Sequence, residues 1–431
     1  MIPLLLLFAI AGLMQAARSF TTSAGATELA FGFLLLTAYF TARLVQHIGL
    51  PRLTGYLLAG VLAGPFVLAL VTREMTESLR VVNGVATCIL GLTAGAELNL
   101  ARIRPVMATL RAVMVLAVLG AIVVLAVALY ALSPVLPLFD GLASGPTLAV
   151  CAVIAVGMAP QSPSVVMALL AETRAQGPLS EFLLAEVVVA DLVVVVCYAL
   201  VAALAGSVLG GELDVGALAL SVGWELVGSI GFGIAIGVLI GAFVRSVARG
   251  AALFALLVCV VVAEIGSRVH LDPLIVMLAA GIWLENFSRA DASALLHGFE
   301  SAQLPVFLVW FALSGTRLDL VQLWALVVPV LILAAARAGW FFVGSRIACA
   351  ITGAPRAIAR SGWIGLWPQA GLSLALITVL PSNFPSFGRA AAAMILGLLG
   401  VNLLVSPVVL RGALIRSGEA GKKPAADFAA R

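Results

Sequence analysis

The chain has 431 residues, of which 63% are hydrophobic and only 10% are charged. A composition this apolar excludes an ordinary soluble domain, and the apolar runs recur along the whole length, which predicts a polytopic membrane protein. The net charge of +4 does not indicate a nucleic-acid partner, because the basic residues fall in short segments between the apolar runs.

Fourteen candidate membrane spans follow one another along the chain. The first span is either a retained helix or a cleaved signal peptide. We favour the helix, because the segment lacks the basic leading region that a signal peptide has. We therefore expect an extra N-terminal segment over 1–27, a transmembrane domain over 28–411 and a short, disordered cytoplasmic tail over 412–431. The predicted spans are 2–17, 28–46, 53–71, 81–97, 107–132, 146–171, 181–206, 217–244, 250–268, 272–286, 303–316, 322–346, 360–380 and 388–411.

The placement of Lys and Arg predicts the orientation. With the N-terminus inside, 17 of the 24 basic residues lie in cytoplasmic segments and 6 lie in outer segments. The positive-inside rule then places both termini in the cytoplasm, and we expect a multi-pass protein of the bacterial inner membrane. The remaining basic residue is Arg337, which lies deep in the twelfth span.

Two spans, the sixth and the thirteenth, are poor helices in mid-membrane. Each carries Gly-x-x-Pro-Gln, which places Pro160 and Pro368 where a proline removes a backbone donor and breaks the helix. The spans are seven apart and therefore cross the membrane in opposite directions. Matching interrupted helices in inverted halves indicate the binding site of a secondary transporter.

The seventh span carries a carboxylate at the same depth. Asp191 lies ten residues past Glu181, where the apolar run begins, and is therefore roughly 15 Å deep. A charge at that depth is costly and is usually kept where it faces a partner or a water-filled path, although a purely structural carboxylate is the alternative. Asp191 can hold either a proton or a monovalent cation, so competition between them is sufficient for exchange.

The broken helices offer oxygen atoms, which hard cations prefer as ligands. We predict that Asp191 binds the transported metal ion with their help, and that Arg337 offsets the carbonyl ends of the breaks. The predicted ligands are Gln161, Ser162, Ser164, Gln369 and Ser373, and the predicted helix breaks are Pro160, Pro163 and Pro368.

A second carboxylate, Glu186, lies five residues before Asp191. At 100° per residue it points about 140° away, so the two carboxylates do not share one ion. We predict that Glu186 forms a buried ion pair with Arg337, because each would otherwise be an uncompensated charge.

The segment Leu50–Pro65 (LPRLTGYLLAGVLAGP) resembles the second core helix of the monovalent cation:proton antiporter superfamily, in its Kef-type branch. The segment Glu172–Pro178, which leads into Asp191, is similar to that branch's link to its ion-binding helix. The resemblance covers roughly 28–411. It implies an all-α polytopic membrane protein of about 13–14 transmembrane helices, with inverted repeats and two crossed broken helices, as in the NhaA/NapA-like antiporter fold. It also implies a homodimer in which a core domain moves against dimerisation helices.

Within this resemblance, Glu186, Asp191 and Arg337 match the Glu-x-x-x-Asn-Asp and Arg pattern of sodium–hydrogen exchangers of the NhaP type. The pattern departs at one position, since Ala190 stands where the family has a polar residue. The match implies electroneutral exchange of one cation for one proton. No Kef-type nucleotide-binding domain is recognised, so gating by nucleotide is not implied.

We therefore predict a transporter rather than an enzyme, a Na⁺ or K⁺/proton antiporter embedded in lipid that needs no cofactor. One alternative is a cation- or proton-coupled symporter of an organic solute on the same inverted-repeat fold. An intramembrane aspartyl protease needs two deep aspartates, and only Asp191 is deep in a span. A non-transporting receptor is a further alternative.

Overall fold

A computed structural model shows an all-helical chain, with no strand among the described residues. The structure describes residues 12, 23–209, 220, 223–246, 250–269, 271–288, 305–318 and 326–422. The predicted first span, 2–17, lies outside the described residues except for residue 12.

Thirteen predicted spans, from 28–46 to 388–411, each contain a helix. Within the described residues, seven helical segments are long and apolar enough to cross a membrane, if the interrupted segment Ser144–Thr173 is counted as one. Shorter apolar helices occupy the other predicted spans. Numbered in chain order, the helices are α1 (Ser23–His47), α2 (Arg52–Ala63), α3 (Arg73–Ser78), α4 (Arg80–Glu97), α5 (Leu100–Val135), α6 (Ser144–Met158), α7 (Pro163–Thr173), α8 (Pro178–Val208), α9 (Ser229–Ser246), α10 (Ala251–Val269), α11 (Pro273–Asn286), α12 (Pro305–Thr316), α13 (Val327–Thr352), α14 (Arg356–Ser361), α15 (Gly371–Asn383) and α16 (Gly388–Arg416).

The chain divides into two compact units, and the first contains α1–α4 and α9–α12. Helices α4 and α11 of this unit pack closely, because glycines allow the two backbones to touch. Gly95 lies against the carbonyl group of Leu278, and Gly281 lies against the carbonyl group of Leu92. A Cβ atom at either glycine would overlap that carbonyl group, so only glycine permits this approach.

The second unit covers 101–223 and 321–423 and contains α5–α8 and α13–α16. Helix α5 is interrupted by a π-helical stretch, Met114–Leu119. This stretch shifts the hydrogen-bond pattern, and the Leu116 carbonyl group accepts a hydrogen bond from Trp340 Nε1 of α13 at 2.9 Å. Helix α13 is thereby fixed against α5.

Both predicted helix breaks are present, and both lie in the second unit. Helix α6 ends at Met158 and α7 begins at Pro163, which takes the first helical position that suits a residue without an N–H group. In the second break, a 3₁₀ turn over Gly362–Ile364 is followed by non-helical backbone until α15 begins at Gly371. The prediction from the Pro-Gln motifs is confirmed.

The prediction of a disordered tail from residue 412 is wrong for residues 412–422. Helix α16 continues to Arg416. The turn that follows it forms hydrogen bonds with the segment between α7 and α8 in the same unit. Glu419 in this turn is only 4% exposed. Residues 423–431 lie outside the described part of the chain.

Candidate ion-exchange site

Asp191 lies at the first helix break. It is partly buried on α8, and its Oδ1 accepts a hydrogen bond from the backbone N–H group of Gln161 at 3.2 Å. The break leaves the N–H groups that precede α7 without helical partners, and such groups favour a negative charge. Asp191 therefore lies beside the first of the two broken helices.

The polar side chains of the first break are fully or almost fully buried. Ser162 caps α7, because its Oγ accepts a hydrogen bond from the Val165 N–H group at 3.3 Å. The Ser162 and Ser164 hydroxyl groups are 3.0 Å apart and share a hydrogen bond. Gln161 donates from Nε2 to the Ala159 carbonyl group at 2.6 Å, and its Oε1 has no hydrogen-bond partner among the described residues.

The second break is held by a chain of side-chain hydrogen bonds. Gln369 donates from Nε2 to Ser373 Oγ at 2.8 Å and to the Met158 carbonyl group at 3.2 Å, which connects the two breaks. Its Oε1 accepts from Asn402 Nδ2 at 2.7 Å, and Asn402 Oδ1 accepts from Trp367 Nε1 at 3.1 Å. Both polar groups of Gln369 are therefore engaged within the protein.

Arg337 of α13 joins the carbonyl ends of both breaks. Its Nη2 donates to the Pro160 carbonyl group at 2.7 Å and to the Ala159 carbonyl group at 3.2 Å. Its Nη1 donates to the Trp367 carbonyl group at 2.8 Å, and Nη2 also reaches the Leu366 carbonyl group at 3.3 Å. The guanidinium group is fully buried, so its charge is balanced by carbonyl dipoles and by the electrostatic attraction of Asp191.

The predicted ion pair between Glu186 and Arg337 is absent, so this part of the prediction is wrong. Both side chains are fully buried, but neither Glu186 oxygen has a hydrogen-bond partner among the described residues. The Glu186 carboxylate lies against Gly365, where an added Cβ would be 2.8 Å from Oε2. The carbonyl groups of the breaks hold the guanidinium group instead, because they offer several acceptors in fixed positions.

Asn402 was not identified from the sequence. It is a single amide in an otherwise apolar stretch of α16, and that isolation is the only signal that the sequence offers. Buried polar groups are hydrogen-bonded in folded proteins, so a lone buried amide indicates a partner without identifying it.

We expect the Arg337→Gln substitution to lower the free energy of unfolding by about 3 kcal/mol, because buried carbonyl groups of both breaks lose charged donors. Glu186→Gln should have a much smaller effect, since its oxygens accept no hydrogen bond from the described residues. In the double variant the two effects should add to within about 0.5 kcal/mol. Thermal unfolding of the purified variants in detergent measures this, and rescue of Arg337→Gln by Glu186→Gln would show that the two residues are paired after all.

Asn402→Ala should cost about 1–3 kcal/mol of stability, because it leaves Trp367 Nε1 and Gln369 Oε1 unpartnered in a buried site. Ser382→Ala is the matched control, since the Ser382 hydroxyl group is exposed and bonds the Val379 carbonyl group of its own helix. Thermal unfolding of both variants gives the comparison, and equal losses would contradict a special role for the Asn402 network.

Residues 32–416 match the family model described as sodium/hydrogen exchanger, transmembrane. No curated protein sequence matches the chain significantly.

Among solved structures, the chain is similar to that of the sodium proton antiporter MjNhaP1 from Methanocaldococcus jannaschii at pH 8. The TM-score is 0.68 at 14% sequence identity, with 93% of this chain and 99% of that chain covered. An electron-microscopy structure of MjNhaP1 gives a TM-score of 0.65 at 14% identity, with 90% and 96% covered. These structures share the fold, and the family match extends over most of the chain, so this protein belongs to the sodium/hydrogen exchanger family of cation/proton antiporters.

Proposed function

We propose that this protein exchanges Na⁺ or K⁺ for a proton at Asp191, without net movement of charge. The observation that carries the proposal is the hydrogen bond from the Gln161 N–H group to Asp191 Oδ1 at the first break. An ionisable group at the end of a half-helix thus contacts a break whose residues Gln161, Ser162 and Ser164 carry buried side-chain oxygens. A carboxylate in such a position can be neutralised by either ligand, and binding of one excludes the other.

The cation ligands proposed with Asp191 come from the first break. The Gln161 Oε1 atom is buried and accepts no hydrogen bond from the described residues, so its lone pairs are available to a cation. The Ser162 and Ser164 hydroxyl groups, which lie 3.0 Å apart, are the other oxygens of this break that we propose as ligands. Gln369 and Ser373 bond to each other, so we assign them to holding the two breaks together rather than to direct ligation.

Electroneutral exchange follows from the charges at the breaks. Asp191 provides one exchangeable carboxylate, and Ala190 before it provides none. Arg337 does not add a second exchanged proton, because an arginine side chain keeps its proton under physiological conditions and this one is bound to carbonyl groups. One cation therefore replaces one proton.

We further propose a homodimer in the bacterial inner membrane with both termini in the cytoplasm. The orientation is supported by the excess of Lys and Arg in the segments assigned to the inside. The dimer is supported only by the resemblance described above.

Asp191→Asn should abolish exchange, because an amide cannot alternate between a proton and a cation. Asp140→Asn makes the same chemical change at an exposed loop position and should transport like the wild type. The measurement is dequenching of a pH-sensitive dye in everted vesicles after addition of Na⁺, K⁺ or Li⁺. Retention of half the wild-type rate by Asp191→Asn would rule out Asp191 as the carrier, and a flat wild-type response to all three cations would rule out exchange.

In proteoliposomes, an imposed membrane potential should leave the rate of Na⁺-driven proton movement unchanged, since one charge replaces another of equal sign. Transport should also generate no potential of its own. A rate that follows the imposed potential would contradict one-for-one exchange while leaving antiport itself intact.

A further inference from the structure

The turn after α16 is bound to the elements that meet at Asp191. Residues 417–422, here called the C-terminal hook, follow α16 and fold onto the connection between α7 and α8. Helix α7 begins just after the first break, and α8 carries Asp191. The hook therefore contacts the far ends of both elements.

Glu419 caps the start of α8 from 240 residues away. Its Oε1 accepts from the Leu179 N–H group at 2.9 Å, and its Oε2 accepts from the Ser180 N–H group at 2.8 Å and from Ser180 Oγ at 2.7 Å. The N-cap residue of α8, Gly177, has no side chain to perform this function. A carboxylate at a helix N-terminus also interacts favourably with the helix dipole.

Backbone hydrogen bonds extend the same contact to the end of α7. The Gln176 N–H group donates to the Glu419 carbonyl group at 3.1 Å, and the Gly421 N–H group donates to the Thr173 carbonyl group at 2.9 Å. Thr173 is the last residue of α7. The hook thus holds the end of α7 and the first turn of α8 at once.

Gly177 leaves the space that the Glu419 carboxylate occupies. A Cβ atom at this position would lie 2.5 Å from Glu419 Cδ and 2.6 Å from Glu419 Oε1. The carboxylate would have to move away, because it is the end of a flexible side chain. A methyl group at Gly177 therefore displaces the Glu419 carboxylate without replacing it, and it also strains the backbone, because the φ of Gly177 is +158°.

We propose that Glu419 is a positioning residue for ion exchange, acting through the hook on the relative placement of α7 and α8. The proposal rests on the proposed role of Asp191. The hook joins the end of α7 to the start of α8. At the other end of α7, Gln161 in the break just before that helix donates its N–H group to Asp191 in the middle part of α8. Release of the hook leaves the second contact less well fixed, so the cation site is less well preorganised.

Hydrogen exchange tests the clamp independently of transport. In wild-type protein the amide hydrogens of Leu179 and Ser180 should be protected, and Glu419→Ala should increase their exchange at least about tenfold. Lys422→Ala is the matched control, because it alters the same segment at an exposed side chain and leaves the carboxylate in place. Unchanged protection in Glu419→Ala would overturn the proposal, whether or not the wild type transports a cation.

Transport in proteoliposomes tests the positioning role. Glu419→Ala should raise the half-maximal Na⁺ concentration by about three- to tenfold with little change in the maximal rate per folded protein, as expected for a loss of preorganisation. Lys422→Ala should match the wild type. An unchanged half-maximal concentration in Glu419→Ala would overturn the positioning role, because a purely structural contact would alter only the amount of folded protein.

The Gly177→Ala variant completes the test. It should raise the half-maximal Na⁺ concentration at least as much as Glu419→Ala does, and adding Glu419→Ala to it should cause no further rise, because the carboxylate is already displaced. Fully additive effects would overturn the proposal. If Glu419→Ala does not fold, Ser180→Ala removes only one of the three hydrogen bonds, and it should produce a smaller shift in the same direction.

Discussion

The pairing of Arg337 with the carbonyl groups of both helix breaks is the interaction on which the second unit depends. A broken helix in an apolar environment leaves carbonyl groups without donors, and each such group is costly to bury. One guanidinium group, with several donors in a fixed plane, satisfies carbonyl groups of both breaks. The two helix breaks are stabilised because their carbonyl groups share the Arg337 guanidinium group.

The two sides of the first break are treated differently. The carbonyl end, at Ala159 and Pro160, is held by the side chain of Arg337, whose charge is permanent. The N–H end faces Asp191, whose charge can be removed by a proton or balanced by a cation. Arg337 thus carries a fixed charge that maintains the structure, and in the proposed mechanism Asp191 carries the charge that is exchanged.

The sequence predicted features that depend on local chemistry. Both breaks are found where the Pro-Gln motifs place them, because a proline disrupts a helix whatever surrounds it. The predicted pairing of Glu186 with Arg337 was wrong. Helical periodicity gives the direction in which a side chain points from the axis of its helix, but it does not identify the element that the side chain meets. The neighbour of Glu186 is Gly365, in a non-helical segment whose path no periodicity describes.

The partners of Asn402 and Glu419 also depend on tertiary structure. Asn402 meets Gln369 across 33 residues, and Glu419 meets Leu179 across 240 residues. The polar composition of 412–431 favours disorder, and nothing in that composition reports the unsatisfied N–H groups at the start of α8. The hook is ordered because its Glu419 carboxylate accepts hydrogen bonds from these N–H groups, which are distant in sequence.

The first break explains how the proposed site can have a non-polar residue, Ala190, directly before Asp191. Ala190 is fully buried, and its methyl group brings no polar atom to the site. In the proposed mechanism the oxygen that a polar neighbour would supply on α8 comes instead from Gln161, whose Oε1 is buried without a hydrogen-bond partner among the described residues. The Gln161 backbone already bonds to Asp191, so one residue can both orient the carboxylate and complete the cation's ligands. In the proposed mechanism Asp191 therefore does not bind the cation alone, although Ala190 offers no polar atom.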